Sequence, residues 1–482
     1  MPVVELSYLR LQKMTGRPKG KIARMLPYLG LDIESEDGDA VRIEYSPNRP
    51  DYSTDYGVAL GLQGMLGVRT GMVKMRIKKS GRRIMAKPAI SQMRPFVTGI
   101  AATGGRVNDK MIKQLMTLQE DLHAGLGRNR VKSSVGIHDM DHITFPITYG
   151  SANRSHRFVP LGHTEEMSIS KILSDTVVGR DYGYILGNRP RVPILLDAAN
   201  RTVSLPPVIN AASTTVSNRT KNLFVEVTGL SKRGVEDVLA VICVILQGAG
   251  FSLESVGVSG VRNSAPDMSP RKMSITADVV NQTLGLDLSV QKIASCLKKS
   301  RLDATISGQS VKCVIPPYRF DMFGPMDIVE EVALGYGIDN LEPVLSPSRT
   351  IGSKDAGSAL LETISLVMAG LGYMEALNSS LSSERILYSN MNRDPAGITS
   401  VLDSKSLEHT VLRDSILPGL VDCLSRNIHE PYPQRLFETG TVFERNGTVS
   451  ESVHLCGITS HDKAAYTEIK SVLQGVMSGV FG

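Results

Sequence analysis

Residues 316–340 read PPYRFDMFGPMDIVEEVALGYGIDN. A proline at the start and two glycines at the end of this stretch predict a helix over Met326–Leu334. On such a helix Asp327, Glu330 and Glu331 stand at positions i, i+3 and i+4, which lie on one face. The sequence therefore predicts three carboxylates close together on a short helix.

Two interpretations of these acids are open. Crowded carboxylates raise each other's pKa unless a positive group lies among them. Oxygen ligands without Cys or His, here Asp321, Asp327, Glu330 and Glu331, are typical of Mg²⁺ or Ca²⁺ rather than zinc. Alternatively, acids near a helix start complement its dipole, and Arg319 neutralises Asp321. The spacing alone favours the dipole interpretation.

Composition limits the class of protein. A chain of 482 residues predicts three or four domains, and its net charge of +6 permits a polyanionic partner without demonstrating one. Five scattered cysteines, none spaced for zinc or a redox pair, predict a reduced, cytoplasmic compartment. The longest apolar run, Val238–Leu246, is too short to span a bilayer, which predicts a soluble protein. The absence of Trp argues against a nucleic-acid surface built mainly on base stacking.

One unit occurs twice in the chain. Residues 1–65 read as two helices followed by two strands, with breaks at glycines, and close on PNRPD at 47–51. Residues 267–340 repeat this plan and close on PYRFD at 317–321. Both copies share Pro-x-Arg-x-Asp and continue into VALG, which predicts a duplicated helix-turn-helix with a strand wing. DNA recognition is disfavoured, because the lysines of the later second helix are not concentrated at its N-terminal end.

The repeat provides an internal control for the acids. Aligning the VALG segments puts Tyr56 and Gly57 opposite Glu330 and Glu331, so the first copy keeps the framework without the paired carboxylates. The acids are therefore not required by the fold, which brings the metal interpretation level with the dipole one. In the later copy the predicted helices are Ala277–Leu284 and Ser289–Lys299.

The middle of the chain reads as a mixed domain. Residues 65–85 are basic and contain glycine, which predicts a linker. From Ala86 to Ser259 short β-rich runs alternate with helices, which predicts an α+β domain. The predicted strands are 96–101, 143–149, 192–197, 202–205 and 223–228, and the predicted helices are 108–123 and 235–248.

Two histidines in this region resemble a zinc motif. His138 and His142 are four residues apart with Asp139 and Asp141 between them. A glycine before the cluster and a proline after it favour a solvated turn instead.

Residues 350–482 predict a further α/β unit. A helix is predicted over Ser358–Leu371, and a strand carries Glu438. Arg413 opens a turn into a helix that ends near Asn427. The spacing favours a core salt bridge between Arg413 and Glu438.

Together these stretches resemble the beta subunit of phenylalanyl-tRNA synthetase, of the archaeal and eukaryotic type. The similarity covers nearly the whole chain, in the order of the family. It is carried by PNRPD at 47–51, LPPVIN at 205–210, the acidic block at 321–337, GYME at 372–375 and LRDSILPGL at 412–420.

The resemblance implies a multidomain α+β fold. It implies winged helix-turn-helix-like units at 1–80 and 267–342, a β-rich editing-like domain at 86–260, and a class II synthetase-like α/β core lacking catalytic residues at 350–482. The family pairs this chain with an alpha subunit in an alpha-two beta-two tetramer that acts on the phenylalanine tRNA. ATP and phenylalanine are bound by the alpha subunit.

The resemblance also assigns site residues. A Mg²⁺ ion shared with the alpha subunit carries over to Asp321, Asp327, Glu330 and Glu331. The family's editing pocket, which hydrolyses tyrosine mischarged onto the phenylalanine tRNA, carries over to Ser204, Asn210, Glu226 and Thr228; the family often has Asp at the position of Glu226.

One departure concerns length, because family members continue beyond the position that corresponds to Gly482. The sequence therefore predicts a C-terminally shortened last domain. The rival hypothesis is a stand-alone tRNA-binding or trans-editing hydrolase that needs no partner.

Overall fold

The computed structural model describes residues 2–260, 266–345, 351–395 and 397–482. These residues form two compact units, 1–344 and 345–482. The domain boundary predicted at Thr350 lies outside the described residues.

The first 65 residues combine a three-stranded antiparallel sheet with three helices. The elements are β1 (Val3–Ser7), α1 (Tyr8–Thr15), α2 (Lys19–Met25), β2 (Leu31–Asp37), β3 (Ala40–Tyr45) and α3 (Asp55–Met65). Strand β3 lies between β1 and β2. Gly16 and Gly30 end their helical segments with φ angles of 66° and 70°, a region that residues with a Cβ rarely adopt. The two helices, the two strands and the breaks between them are as predicted, and strand β1 was missed.

The middle of the chain forms a nine-stranded sheet with helices. The elements are β4 (Ile77–Ala86), β5 (Phe96–Thr103), α4 (Asp109–Ala124), β6 (Ser133–Asp139), β7 (Ile147–Asn153), β8 (Arg157–Phe158), β9 (Met167–Ser168), α5 (Ile169–Asp175), α6 (Val177–Tyr182), β10 (Arg191–Leu196), β11 (Thr202–Leu205), β12 (Ile209–Asn210), β13 (Leu223–Gly229), α7 (Lys232–Gly248) and β14 (Ser252–Gly260). The sheet order is β12-β11-β10-β7-β4-β14-β5-β13-β6, and β8 and β9 pair separately.

The linker predicted at 65–85 is wrong in its second half. Strand β4 begins at Ile77 and pairs in parallel with β14 near the centre of the sheet. Its basic side chains are partly or fully exposed, while Ile84 is buried. The basic composition hid a strand because only Ile84 and Ala86, near its end, are buried. The strand predicted at 143–149 likewise begins later, at Ile147.

Helix α7 is the centre of the largest core. All residues from Val238 to Leu246 are buried, which is typical of a helix covered on every side. The helix packs on β5, β6, β13 and β14 and also contacts α3 of the first repeat. The sheet and the first repeat are therefore joined through this apolar helix.

The second copy of the repeated unit follows. Its elements are β15 (Arg271–Thr276), α8 (Ala277–Leu284), α9 (Val290–Lys299), β16 (Asp303–Ser307), β17 (Ser310–Ile315) and α10 (Pro325–Tyr336). Strand β17 lies between β15 and β16, as β3 does between β1 and β2. Ser289 caps α9 by accepting a hydrogen bond from the backbone N–H of Lys292. The predicted helices are confirmed, and both copies have the element order strand, helix, helix, strand, strand, helix.

The second of the two compact units, residues 345–482, is a smaller α/β arrangement. Its elements are α11 (Ala356–Gly370), β18 (Met374–Glu375), β19 (Leu381–Ser382), α12 (Glu384–Leu387), β20 (Val411–Leu412), α13 (Leu417–Arg426), β21 (Gln434–Asn446), β22 (Thr448–Ser460) and α14 (Tyr466–Phe481). Strand β21 pairs in parallel with β18 and antiparallel with β22. Met368, Tyr373, Phe437 and Val476 form its main core, which joins the helices α11 and α14 to the sheet.

Candidate functional site

The nine-stranded sheet curls until its two end strands, β6 and β12, approach each other. Asn210 on β12 donates from Nδ2 to the carbonyl oxygen of Ile137 on β6 over 3.5 Å. Arg130, which precedes β6, donates from Nη1 to the carbonyl oxygen of Val208 at 2.9 Å. A cavity of about 920 Å³ lies here, lined mainly by apolar side chains of α4 and of residues 205–216. A large apolar cavity with a few polar groups is typical of a ligand site.

The polar end of the cavity is built on β13 and β6. Their antiparallel register sets Glu226 opposite Gly136 and Phe224 opposite His138, so these four residues share one face. A β-carbon at position 136 would lie 2.6 Å from both Glu226 Oε1 and His138 Nε2. Both side chains therefore pack against position 136 so closely that only glycine fits there without moving one of them.

Glu226 lines the cavity and is buried, with 2% of its surface exposed. Ser204 Oγ on β11 donates to Glu226 Oε1 at 3.0 Å, so the curl brings together strands that are not neighbours in the sheet. Burial raises the pKa of Glu226 to about 7, although the Ser204 hydrogen bond and the charge of Arg94 act in the opposite direction. A pKa near 7 means that this carboxyl group is partly protonated at neutral pH.

Thr228 lies one pair of residues further along β13 and does not line the cavity. Its Oγ1 accepts a hydrogen bond from Arg94 Nε at 2.9 Å and lies 3.1 Å from Ser134 Oγ. The buried Arg94 also donates to the backbone carbonyl oxygens of Thr228, Arg130 and Val131. Because its hydroxyl group is engaged by Arg94 and Ser134, Thr228 holds the wall of the site in place.

Of the four predicted editing residues, the structure therefore brings three to the cavity. Glu226 and Asn210 line it, and Ser204 reaches it through its hydrogen bond to Glu226. Thr228 does not line the cavity and instead contacts the buried Arg94. Sequence reasoning missed Arg94, which had no motif around it.

The solvated turn predicted for the His/Asp cluster is wrong for His138. His138 is fully buried on β6, whereas Asp141 and His142, on the short helical turn that follows, are exposed. The Nδ1 atom of His138 lies 2.9 Å from Thr214 Oγ1, and the His138 ring stacks on Phe224 with centroids 5.9 Å apart. Burial lowers the pKa of His138 to about 3, so the imidazole is neutral. The alternation of apolar and small or polar residues over Ser133–Asp139 is the strand signal that identifies its face.

The predicted acidic cluster is arranged around an arginine. Helix α10 is confirmed, and the Arg319 guanidinium is hydrogen-bonded to both Asp321 and Glu331. Burial alone would raise the pKa of Asp321, but the charge of Arg319 outweighs it and lowers the pKa. Asp327 instead caps α10, because its Oδ2 accepts the backbone N–H of Gly324 at 2.7 Å.

As placed, the four carboxylates do not fit a Mg²⁺ ion. Arg319 occupies the position of a cation between Asp321 and Glu331, and only Glu330 remains exposed. Partial burial, followed by the charges of Glu331 and Asp327, raises the pKa of Glu330. Throughout the described part of the chain, no group of three or more His, Cys, Asp or Glu side chains is placed to hold a metal ion. The magnesium assignment stays a prediction.

The first repeat contains the same arginine–aspartate pair but no counterparts of Glu330 and Glu331. Arg49 donates to both carboxylate oxygens of Asp51 at 2.9 and 2.8 Å, as Arg319 does with Asp321. At position 57, the counterpart of Glu331, a β-carbon would lie 1.6 Å from the backbone oxygen of Asp51. The first copy therefore has no room for a side chain where the second carries a carboxylate.

In the second unit the predicted salt bridge is confirmed. Arg413 Nη1 donates to Glu438 Oε1 at 2.5 Å, and Arg413 Nε donates to the carbonyl oxygen of Thr441 at 2.9 Å. Asn378 donates to the second oxygen of Glu438 at 2.7 Å. Both charged groups are buried, so this arginine is fixed within the core.

Comparison with family models indicates the class of protein. Residues 273–338, which include most of the second repeat, match the tRNA synthetase B5 domain. Residues 341–481 match the phenylalanyl tRNA synthetase beta chain CLM domain. The matched domains are those of aminoacyl-tRNA synthetase chains.

Individual relatives narrow this class. Phenylalanine–tRNA ligase beta subunits of Archaeoglobus fulgidus and Methanosarcina acetivorans are 36% and 35% identical over 99% of the chain, which covers 87% and 88% of those relatives. The chain belongs to the family of phenylalanine–tRNA ligase beta subunits.

A solved structure agrees with this assignment. The crystal structure of an N-terminal fragment of the phenylalanyl-tRNA synthetase beta subunit of Pyrococcus horikoshii is 29% identical, with a TM-score of 0.67. It covers 70% of this chain, and all of that fragment is matched. The mixed α+β fold predicted from the sequence is confirmed.

None of the helices in the described part of the chain has both the length and the apolar character needed to cross a bilayer.

Proposed function

We propose that this chain is the beta subunit of a two-chain phenylalanine–tRNA ligase. It pairs with an alpha subunit in an alpha-two beta-two tetramer in the cytoplasm and contributes tRNA binding and editing, while the alpha subunit binds ATP and phenylalanine. The observation that carries the proposal is the family membership over 99% of the chain. This membership favours the ligase-subunit function over a stand-alone hydrolase, because the matched relatives are named as ligase beta subunits and the match covers most of their length.

The second unit supports a noncatalytic role in activation. Activation of an amino acid by ATP needs cationic groups that clamp the triphosphate. Arg413, the arginine of the LRDSILPGL segment, is buried in its ion pair with Glu438 and is not free for such a role. The domain assignments proposed from the resemblance are kept, with the first boundary moved from residue 80 to about residue 76 because β4 belongs to the central sheet.

The test of this role is ATP–pyrophosphate exchange stimulated by phenylalanine. The purified chain should show no exchange, and addition of the alpha subunit should produce both exchange and charging of the phenylalanine tRNA. Exchange by this chain alone would refute the noncatalytic role. Failure to bind the alpha subunit would favour the stand-alone hydrolase.

We further propose that the cavity between β6 and β12 is an editing site that hydrolyses tyrosine from the phenylalanine tRNA. The apolar walls cover an aromatic ring, and Glu226, positioned by Ser204, meets the tyrosine hydroxyl at the polar end. Hydrolysis adds water across the ester, which releases free tyrosine and uncharged tRNA. We expect Asn210, which lines the cavity, to contact the amino-acid backbone or the attacking water.

Replacement of Glu226 tests this site. In the assembled enzyme, Glu226→Ala should slow release of tyrosine from mischarged tRNA about tenfold or more, while charging with phenylalanine is unchanged. Asp175→Ala is the matched control, because Asp175 is an exposed carboxylate on the cavity lining. If release and charging fell together in Glu226→Ala, the residue would be structural and the site assignment wrong.

We propose a Mg²⁺ ion only for the assembled two-chain enzyme, not for this chain alone. A Mg²⁺ site here requires donors beyond this chain, because Arg319 already binds Asp321 and Glu331. No catalytic step is assigned to the ion.

A further inference from the structure

Helix α4 contacts the cavity with one side and the first repeat with the other. Its cavity side carries the lining residues Ile112, Leu115, Met116, Gln119, Glu120 and His123. At 3.6 residues per turn, Gln114 and Asp121 lie about half a turn away from the middle of this set. These two polar side chains therefore project from the side of the helix that is opposite to the cavity.

Both polar side chains bond to the first repeat. Gln114 donates from Nε2 to Asp55 Oδ2 at 3.0 Å and to the carbonyl oxygen of Glu5 at 3.2 Å. Asp121 accepts a hydrogen bond from the hydroxyl group of Tyr45, the last residue of β3. These bonds join residues at least 59 positions apart in the sequence, so they tie the helix to a separate part of the fold.

The first repeat holds its side of these bonds firmly. Asp55 is fully buried, and its Oδ1 accepts the backbone N–H of Ser7 at 2.7 Å. Its Oδ2 also lies 2.9 Å from Arg10 Nη1. Tyr45 is likewise fully buried. Because buried hydrogen-bonded groups have little freedom to move, both anchors are fixed with respect to their own repeat.

The second repeat provides an internal comparison. Tyr45 ends the middle strand β3, and its counterpart at the end of β17 is Ile315. Aligning the VALG segments puts Val329 opposite Asp55. Both counterparts are apolar and buried, so they cannot make such hydrogen bonds. The repeated fold therefore does not require the hydroxyl group or the carboxylate, and in the first copy both of them bond to α4.

We propose that Tyr45 and Asp55 are positioning residues of the editing site. They hold α4 from the side opposite to the cavity and thereby fix the place of the cavity-lining Gln119 and Glu120. Small displacements of groups around a reacting bond lower rates strongly, so an anchor outside the cavity affects hydrolysis without touching the substrate. This inference rests on the proposed editing function and gives the first repeat a part in it.

The experiment compares two matched tyrosine variants of the assembled enzyme. Tyr45→Phe removes the hydroxyl group that binds Asp121 and should lower kcat for hydrolysis of tyrosyl-tRNA about tenfold, while KM and charging with phenylalanine stay unchanged. Tyr8→Phe is the control. Tyr8 also donates to a carboxylate, Glu36 Oε1 at 2.9 Å, but this bond lies within the first repeat, so kcat should not change.

A double-mutant cycle shows whether Tyr45 acts through Asp121. Asp121→Asn keeps an oxygen that accepts the hydroxyl group and should retain most of kcat, whereas Asp121→Leu should lower kcat as Tyr45→Phe does. The double variant Tyr45→Phe/Asp121→Leu should be no slower than the slower single variant. Gln114→Met breaks the bond to Asp55 and should also lower kcat, which provides a second test if Tyr45→Phe does not fold.

A measurement without tRNA reports on the position of α4. The chain contains no tryptophan, so Met116→Trp places a single fluorescent probe on the cavity side of the helix. In the full chain with this probe, Tyr45→Phe should change the quenching by acrylamide, and Tyr8→Phe should not.

Several results would overturn the inference. Wild-type kcat in Tyr45→Phe, or an equal fall in hydrolysis and charging, would show that Tyr45 only supports the fold. Additive effects in the double variant would show that Tyr45 does not act through Asp121. Unchanged quenching of the probe would show that α4 does not move. Absence of tyrosyl-tRNA hydrolysis by the wild-type enzyme would instead refute the editing function, and the probe would then still test the anchoring of α4 by itself.

Discussion

The buried carboxyl group of Glu226 should make the chain less stable as pH rises. Its pKa of about 7 in the folded chain lies above the ordinary value of 4.5. An acid with a raised pKa binds more protons when folded, so its contribution is fully present below pH 4.5 and is lost as pH rises through 7. The difference corresponds to about 3 kcal/mol. The stability of Glu226→Gln, which cannot ionise, should therefore increase relative to that of the wild type by up to that amount between pH 5 and pH 9.

The assay is urea unfolding of the purified chain, followed by far-UV circular dichroism at several pH values between 5 and 9. Besides burial, the groups that act on the pKa of Glu226 are Ser204 and Arg94, and the His138 imidazole on the same face of the sheet stays neutral across this range. The difference in unfolding free energy between variant and wild type should grow through neutral pH and level off above it.

Glu120→Gln is a suitable control for this pH dependence. Burial acts to raise the pKa of Glu120, but hydrogen bonds and charges from His123 and Arg130 lower it to about 2. Its own titration therefore lies below the tested range, and its effect on stability should be constant above about pH 6.5, the ordinary pKa of its partner His123, which burial lowers. A constant difference for Glu226→Gln as well would refute the reasoning that Glu226 is protonated by burial.

Three further predictions concern the other sites. Gly136→Ala should slow tyrosine release at least tenfold, measured on mischarged tRNA, because the new methyl group would collide with the side chains of Glu226 and His138 and displace Glu226. Glu330→Gln should weaken any Mg²⁺-dependent increase in thermal stability of the two-chain complex, whereas Tyr56→Phe should not; identical Mg²⁺ titrations would favour the dipole interpretation. Arg413→Met should destabilise the second unit by roughly 3–5 kcal/mol in urea unfolding, because it leaves Glu438 buried without its partner. A loss below about 1 kcal/mol would contradict that account.

Local patterns predicted much of the fold. The duplicated unit was readable because glycines end its helices at fixed places and because Pro-x-Arg-x-Asp recurs in both copies. Helix α7 was readable from its apolar run. Strand β4 was not, because an exposed basic strand and a basic linker have the same composition.

The candidate site was predicted less completely, because it depends on contacts between distant segments. Ser204 and Glu226 lie on strands that are not neighbours in the sheet, and no local pattern encodes the curl that joins them. The turn assigned to His138 followed from flanking breakers rather than from the two-residue alternation of the strand. In the acidic helix α10, the predicted helical positions of the carboxylates were right. The ion pair between Arg319 and Glu331 was not predicted, because it depends on how the segment before the helix folds back.

The curl of the central sheet also affects how the protein behaves in concentrated solution. A sheet that stops short of closing leaves two strand edges whose backbone groups can pair with another molecule. Here β6 and β12 face each other, and Arg130 and Asn210 cover backbone oxygens on opposite sides of the gap. The opening beside the proposed editing site is thus also the place where neighbouring molecules would otherwise join edge to edge. We therefore expect Arg130 and Asn210, which bind backbone oxygens at this opening, to disfavour aggregation through these edges as well as to shape the pocket.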